Sequence, residues 1–194
     1  LSQPERWELG LKEFRTGTEG LGAKSAPLKP GFMRTAGFAC TSLHFLPAYR
    51  SKAGFRLLGR QVLEGRRTWV IGFAQRPENA LVIGRFDVGG RSTPVLVQGV
   101  AWVDPETCQI LRMRTDLLIS PPKTRLGQQT TEIRFGEVRF QEVPVSMWLP
   151  AEVTVTVQWK GRLLRNRHVY SDYRLFNVEA EEKRKAALPP SPAE

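Results

Sequence analysis

Aspartate, histidine and cysteine are scarce in this chain. Its 194 residues include four aspartates, two histidines and two cysteines. The groups from which acid–base or metal chemistry is built are therefore few and scattered. Cys40 and Cys108 stand 68 residues apart with no second cysteine near either, which excludes zinc-ribbon and thioredoxin motifs. Two alternatives stay open for them: two buried thiols, or a disulfide of the kind an exported protein permits. No run of about eighteen apolar residues occurs, so no transmembrane helix is expected. Helical periodicity is also nearly missing, with Pro4 to Phe14 the one weak helix candidate.

What is present is an ordinary globular composition, 41% hydrophobic and 25% charged, with a surplus of basic residues that sets the net charge at +10. Such a chain can bury a core. Residues 1–178 read as one β-rich domain. Residues 179–194 change character and read as a charged, Pro-rich tail: first a Glu/Lys/Arg stretch with the composition of a short charged helix, then Pro-Pro-Ser-Pro-Ala-Glu, which is not expected to order. The first residue is Leu1, not Met, so a processed or truncated product is expected, with any leader or anchor preceding it.

The dominant period is two. In Ala151 to Trp159 the apolar residues Ala151, Val153, Val155, Val157 and Trp159 alternate with Glu152, Thr154, Thr156 and Gln158, the pattern of a half-buried strand. Lys160-Gly161 supplies a tight turn into a second extended segment, Arg162 to Leu175, making a hairpin. Phe55 to Leu63 and Thr68 to Gln75 flank Glu64-Gly65-Arg66-Arg67 in the same way. Leu96 to Val103 runs into Asp104-Pro105-Glu106-Thr107, a type I turn signal, and returns as Cys108 to Leu118. In Thr131 to Gln141 the apolar phase slips at Gly136, which predicts a bulge there. Pro144 and Pro150 bracket Met147-Trp148-Leu149, predicting a connection or an edge. Arg34 to Leu46 and Leu81 to Val88 complete about nine strands. The fold class expected is mainly β (β-rich α+β), a curved antiparallel meander sheet forming a half-barrel with few helices.

Motifs for chemistry fail on inspection. Gly20-Leu-Gly-Ala-Lys-Ser25 lacks the glycine directly before lysine that a phosphate-binding loop requires, and reads as a surface loop. His168, Ser171 and Asp172 have the residue types of a hydrolytic triad, but on one strand Ser171 points away from the other two. His44 is isolated. Cys40 and His44 on a strand would be roughly 13 Å apart at ~3.3 Å per residue, too far for one metal ion. The carboxylate pairs Asp104 with Glu106 and Glu137 with Glu142 read as solvated turn and bend residues, so no enzyme, cofactor or metal site is expected.

Arginines cluster at 56/60, 66/67, 112/114 and 162/165/167, alternating with apolar residues as on the outer face of a sheet. Nucleic acid is disfavoured, because Trp69, Phe73, Trp102 and Trp159 read as inward-facing instead of interleaving with the cations. Attraction to an anionic lipid or another acidic envelope surface accounts for the charge equally well.

Two stretches carry a family resemblance: Leu58-Gly-Arg-Gln-Val-Leu-Glu-Gly-Arg-Arg-Thr-Trp-Val-Ile71 and Gly99-Val-Ala-Trp-Val-Asp-Pro-Glu-Thr-Cys-Gln-Ile-Leu-Arg112. They resemble paired strands of the bacterial lipoprotein-carrier superfamily, the LolA/LolB-like half-barrels, over residues 55 to 176. The resemblance implies a curved sheet around an apolar cavity with helices as a lid, binding acyl chains or lipid-modified polypeptide in the periplasm or cell envelope. This chain departs from that pattern in having few helices to plug the half-barrel.

The function expected is a non-enzymatic envelope protein that holds a lipid, acyl chain or lipoprotein-like hydrophobic ligand on the concave sheet face. Its candidate lining is Trp69, Ile71, Phe73, Trp102, Leu111, Met113, Phe135, Val155 and Trp159, inward by alternation. The alternative is an interaction module whose basic outer face docks an acidic partner, which high salt would weaken.

Overall fold

The structure, a computed structural model, describes residues 34–36, 38–88, 91–140 and 146–173. The Pro4 to Phe14 helix candidate, the Gly20 to Ser25 loop, Glu142, Pro144 and the 179–194 tail lie outside the described residues. In chain order the strands are β1 (Arg34–Ala36), β2 (Ala53–Leu63), β3 (Arg66–Gln75), β4 (Arg85–Val88), β5 (Arg91–Pro94), β6 (Val97–Val103), β7 (Ile110–Leu117), β8 (Leu126–Val138), β9 (Met147–Trp159) and β10 (Arg162–Val169). Two short 3-10 helices, Phe38–Phe45 and Pro47–Lys52, precede β2. The fold is mainly β, as the alternation predicts.

Seven strands form one antiparallel sheet in the order β10-β9-β8-β7-β6-β3-β2, open at both edges, and β1-β4-β5 form a small second sheet. Apart from the β4–β5 excursion, each strand pairs with its neighbour in sequence, because short turns such as Glu64-Gly65 and Lys160-Gly161 leave no room for a crossover. Glu64 (φ 49°) and Lys160 (φ 50°) precede Gly65 (φ 80°) and Gly161 (φ 75°), the paired left-handed residues that a two-residue hairpin turn needs. The large sheet also bends. Glu64, in the turn after β2, accepts a hydrogen bond from Arg134 Nη2 on β8 at 3.3 Å, although β3, β6 and β7 lie between those strands.

Register divides the side chains into an apolar and a charged face. Directly paired residues share a face, so Leu57, Ile71, Ala101, Met113, Ile133 and Val153 form one row across six strands. Ala101, Met113, Ile133 and Val153 in that row are all 0% exposed. Each large aliphatic sealed in this way contributes about 1.5–3 kcal/mol. The cover comes from the first 3-10 helix and the small sheet. His44 and Phe45 lie against Phe73 with ring centroids 5.9 and 5.2 Å away, and Phe86 meets Trp159 edge-on at 6.3 Å. Val95, just after β5, joins the same core.

Several local expectations change. Arg34 to Leu46 is strand only over Arg34–Ala36; Phe38–Phe45 winds into a 3-10 helix, which turns His44 and Phe45 onto the core. Leu81 to Val88 is strand only from Arg85, because the Gln75 side chain takes over the role of a ladder. Its Nε2 donates to Leu81 O at 2.7 Å and its Oε1 accepts from Val97 N at 2.6 Å. Met147-Trp148-Leu149 is not a connection but strand with one free edge: it opens β9 and pairs with β8 on one side only, ahead of the β10 ladder. Pro150 is tolerated there because the β10 ladder begins only at Glu152, so no strand on that side asks for its missing N–H. The bulge predicted at Gly136 falls at the Arg134/Phe135 step, where Ala151 of β9 is the extra residue.

Candidate functional site

Eight of the nine candidate lining residues lie on the apolar face, and most are core. Phe73, Leu111, Met113, Phe135 and Val155 are buried, none more than 9% exposed. Trp159 is half-buried against Phe86, with its indole Nε1 donating to Thr124 O at 3.0 Å. Ile71 and Trp69 are half-buried. Trp102 is misplaced by the alternation argument. It pairs with Val70 and Arg112 on the charged face, donates through Nε1 to Gln61 Oε1 at 2.7 Å, and carries the Arg112 guanidinium 5.4 Å from its ring centroid.

The cover does not reach the whole apolar face. Along the row that ends in sealed Met113, Ile133 and Val153, Leu57 on edge strand β2 is 61% exposed and Ile71 beside it is half-buried. One step toward the β2–β3 turn, Arg60 pairs with Trp69 and Val62 with Arg67, on the same face. Val62 is 65% exposed. Here a groove of about 480 Å³ is lined by Arg60, Val62, Arg67 and Trp69 of this face, by Gln61 and Thr68, which pair on the other face, and by Pro105. Among the described residues neither Arg60 nor Arg67 has a carboxylate partner. Leu57 and Val62 were missing from the sequence-based lining because exposure at a sheet edge leaves no trace in alternation. A second groove, about 540 Å³ and open, crosses the charged face over Gly54, Gly72 and Ala74, with Arg56 and Asp116 at its sides.

The charged face is a lattice of pairs. Arg167 grips Glu152 through two bonds at 2.8 and 2.9 Å, Arg112 meets Glu132 at 3.4 Å, and Arg114 meets Asp116 at 3.4 Å. The Arg167 hydrogen bonds hold the Glu152 carboxyl below its usual range. Arg56, Arg162 and Arg165 have no such partner among the described residues.

Among the described residues the candidate catalytic side chains do not converge. Asp104 accepts from the Glu106 and Thr107 backbone amides at 2.9 and 3.2 Å, and these bonds, Glu106 first, with Arg66 adding to them, hold its carboxyl below the ordinary range. It caps the turn predicted there. Glu137 is held down likewise by Ser146 and then Arg139. Ser171 donates to Asp172 at 3.3 Å on the surface, while His168 sits in β10 opposite Val153. Cys40 and His44 share a 3-10 helix instead of a strand, and no group of three metal-ligating side chains occurs among the described residues. Cys40 and Cys108 do not form a disulfide; Cys40 is half-buried, and Cys108 is exposed in the β6–β7 turn. His44 is 1% exposed, and burial brings its pKa down to about 4, so the imidazole is neutral. No helix among the described residues is long and apolar enough to cross a membrane. No family model, curated protein or solved structure matches the chain.

Proposed function

We propose that the protein is a non-enzymatic binding protein of the bacterial cell envelope that holds a lipid or acyl chain at the uncovered end of its apolar sheet face. The observation that carries this reading is the gradient along one row of side chains, sealed at Met113 and open at Leu57. An apolar surface continuous with the core yet left in water at an edge strand is the kind of site that apolar ligands cover. The groove beside it is of the size in which small ligands are held, about 300–1,000 Å³, and its two unpaired guanidiniums suit the carboxylate or phosphate head of an amphiphile. The envelope location rests on the resemblance of the Leu58 and Gly99 stretches to lipoprotein carriers. The ligand lies at Leu57, Val62, Trp69 and Ile71, while Phe73, Leu111, Met113, Phe135 and Val155 form the wall behind it.

The test is titration with an environment-sensitive fluorescent fatty acid. Saturable binding by the native protein, lost in Leu57→Asp/Val62→Asp with an unchanged circular dichroism spectrum, supports the reading. Absence of saturable binding, or equal binding by that variant, overturns it.

A further inference from the structure

At the end of the sheet opposite the Arg60–Trp69 groove, the loop between β7 and β8 meets the β9–β10 turn. Leu126 pairs with Trp159, Lys160 N donates to Arg125 O at 3.2 Å, and Trp159 Nε1 donates to Thr124 O. Two segments far apart in sequence are thereby joined. Lys123, Arg125, Lys160 and Arg162 are all exposed there, and none has a carboxylate partner among the described residues. No aspartate or glutamate occurs in residues 117–131 or 153–171, so neither segment supplies a carboxylate to neutralise them. Lys123 (φ 65°), Arg125 (φ 56°) and Lys160 (φ 50°) occupy left-handed backbone, where glycine would be the less strained choice. The same two segments carry Ile119 and Leu163, 53% and 72% exposed.

We infer that this end of the sheet docks on an anionic phospholipid bilayer. The cations supply attraction to the lipid phosphates, and the two aliphatic side chains enter the headgroup boundary as an interfacial element does. Nucleic acid fits less well. Trp159 is packed edge-on against Phe86, its N–H is occupied, and the Lys160 ammonium lies 4.5 Å from its ring centroid, so it offers no open face on which a base could stack. Exposed isoleucine and leucine also add nothing to the binding of a polyanion. The docking end is separate from the acyl-chain groove, and the two readings stand or fall independently.

Vesicle co-sedimentation tests the inference. The native protein is expected to bind vesicles containing about one-third phosphatidylglycerol and not pure phosphatidylcholine, and to release at about 0.5 M salt. Each cation near the surface is worth about fivefold in partitioning, so Arg125→Gln/Arg162→Gln should weaken binding about 25-fold. Ile119→Ser/Leu163→Ser, which leaves the charge unchanged, should weaken vesicle binding yet leave any binding to duplex DNA nearly unchanged. Leu57→Asp/Val62→Asp should still dock, which separates this inference from the ligand reading. Equal binding to both vesicle types, no loss in Arg125→Gln/Arg162→Gln, or vesicle binding indifferent to Ile119 and Leu163 with DNA held as tightly, would each overturn the proposal.

Discussion

Burial of His44 makes stability fall as the medium is acidified, in a pH window that carboxylates do not share. The side chain is 1% exposed beside Phe73, and among the described residues its Nδ1 has no hydrogen-bond partner. A proton placed on Nδ1 would find no acceptor among the described residues. With the folded pKa near 4 and the unfolded pKa near 6.5, the unfolded chain takes up the proton first. The stabilising effect of keeping the ring neutral is complete above pH 6.5 and drains away as pH falls toward 4. Linkage through these two values removes about 2 kcal/mol between pH 7.5 and pH 5. For a chain of this length that lowers Tm by roughly 4–8 °C. The depressed carboxyls of Asp104, Glu137 and Glu152 also lose their contribution in acid, but only as pH falls through the ordinary carboxylate range and below. Urea unfolding at several pH values, for the native protein and His44→Leu, isolates the effect. The native protein should lose stability between pH 7.5 and 5, and the variant should be nearly flat there. Parallel pH profiles would refute the account of His44 as a buried neutral base.

Truncation in the row across the sheet should follow exposure. Ile133→Ala, at 0% exposed, is expected to cost about 2–5 kcal/mol in urea unfolding, whereas Leu57→Ala, at 61% exposed, should stay within about 0.5 kcal/mol. A Cβ on Gly99 would stand 2.2 Å from Arg114 O, so Gly99→Ala must push β6 off β7 and should lower Tm markedly. Gly54→Ala, with open space around it, should not. Trp102→Phe removes the bond to Gln61 and should cost about 1 kcal/mol in urea unfolding.

The strands were legible where one phase alone is apolar. Val153, Val155 and Val157 point to one side because Thr154, Thr156 and Gln158 cannot, and the register follows from the two-residue turn after them. β6 is different. In Val97-Gln-Gly-Val-Ala-Trp-Val103 both phases contain apolar residues, and bulk favours the wrong one: small Ala101 faces the core and large Trp102 does not. A local signal was present, since pairing the hairpin through the Asp104 turn sets Trp102 opposite Arg112, a residue already assigned to the solvated face. The cover left no such signal. Phe38–Phe45 has no helical pattern of its own and is shaped by where Phe45 and His44 pack. The basic end was hidden because residues 118–125 and 160–162 become neighbours only through the β8–β9 ladder.

A net charge of +10 suggests a basic outer face, yet the pairing of the charges points elsewhere. On the charged face Arg112, Arg114, Arg134 and Arg167 each meet a carboxylate, so an acidic partner docking there would have to displace Glu132, Asp116, Glu64 and Glu152 one by one. Exposed pairs of this kind are individually weak, about 0–1 kcal/mol, but replacing one carboxylate by another gains nothing further. Arg56 and Arg165 on that face are also without a carboxylate among the described residues, while further unpaired cations gather at the ends of the strands, Arg60 and Arg67 at one and Lys123, Arg125, Lys160 and Arg162 at the other. Each group stands beside exposed aliphatic side chains, Leu57 and Val62 in the first case, Ile119 and Leu163 in the second. Free cations next to uncovered hydrocarbon match an amphiphile better than a soluble polyanion, which is the ground for proposing lipid at the two ends of the sheet.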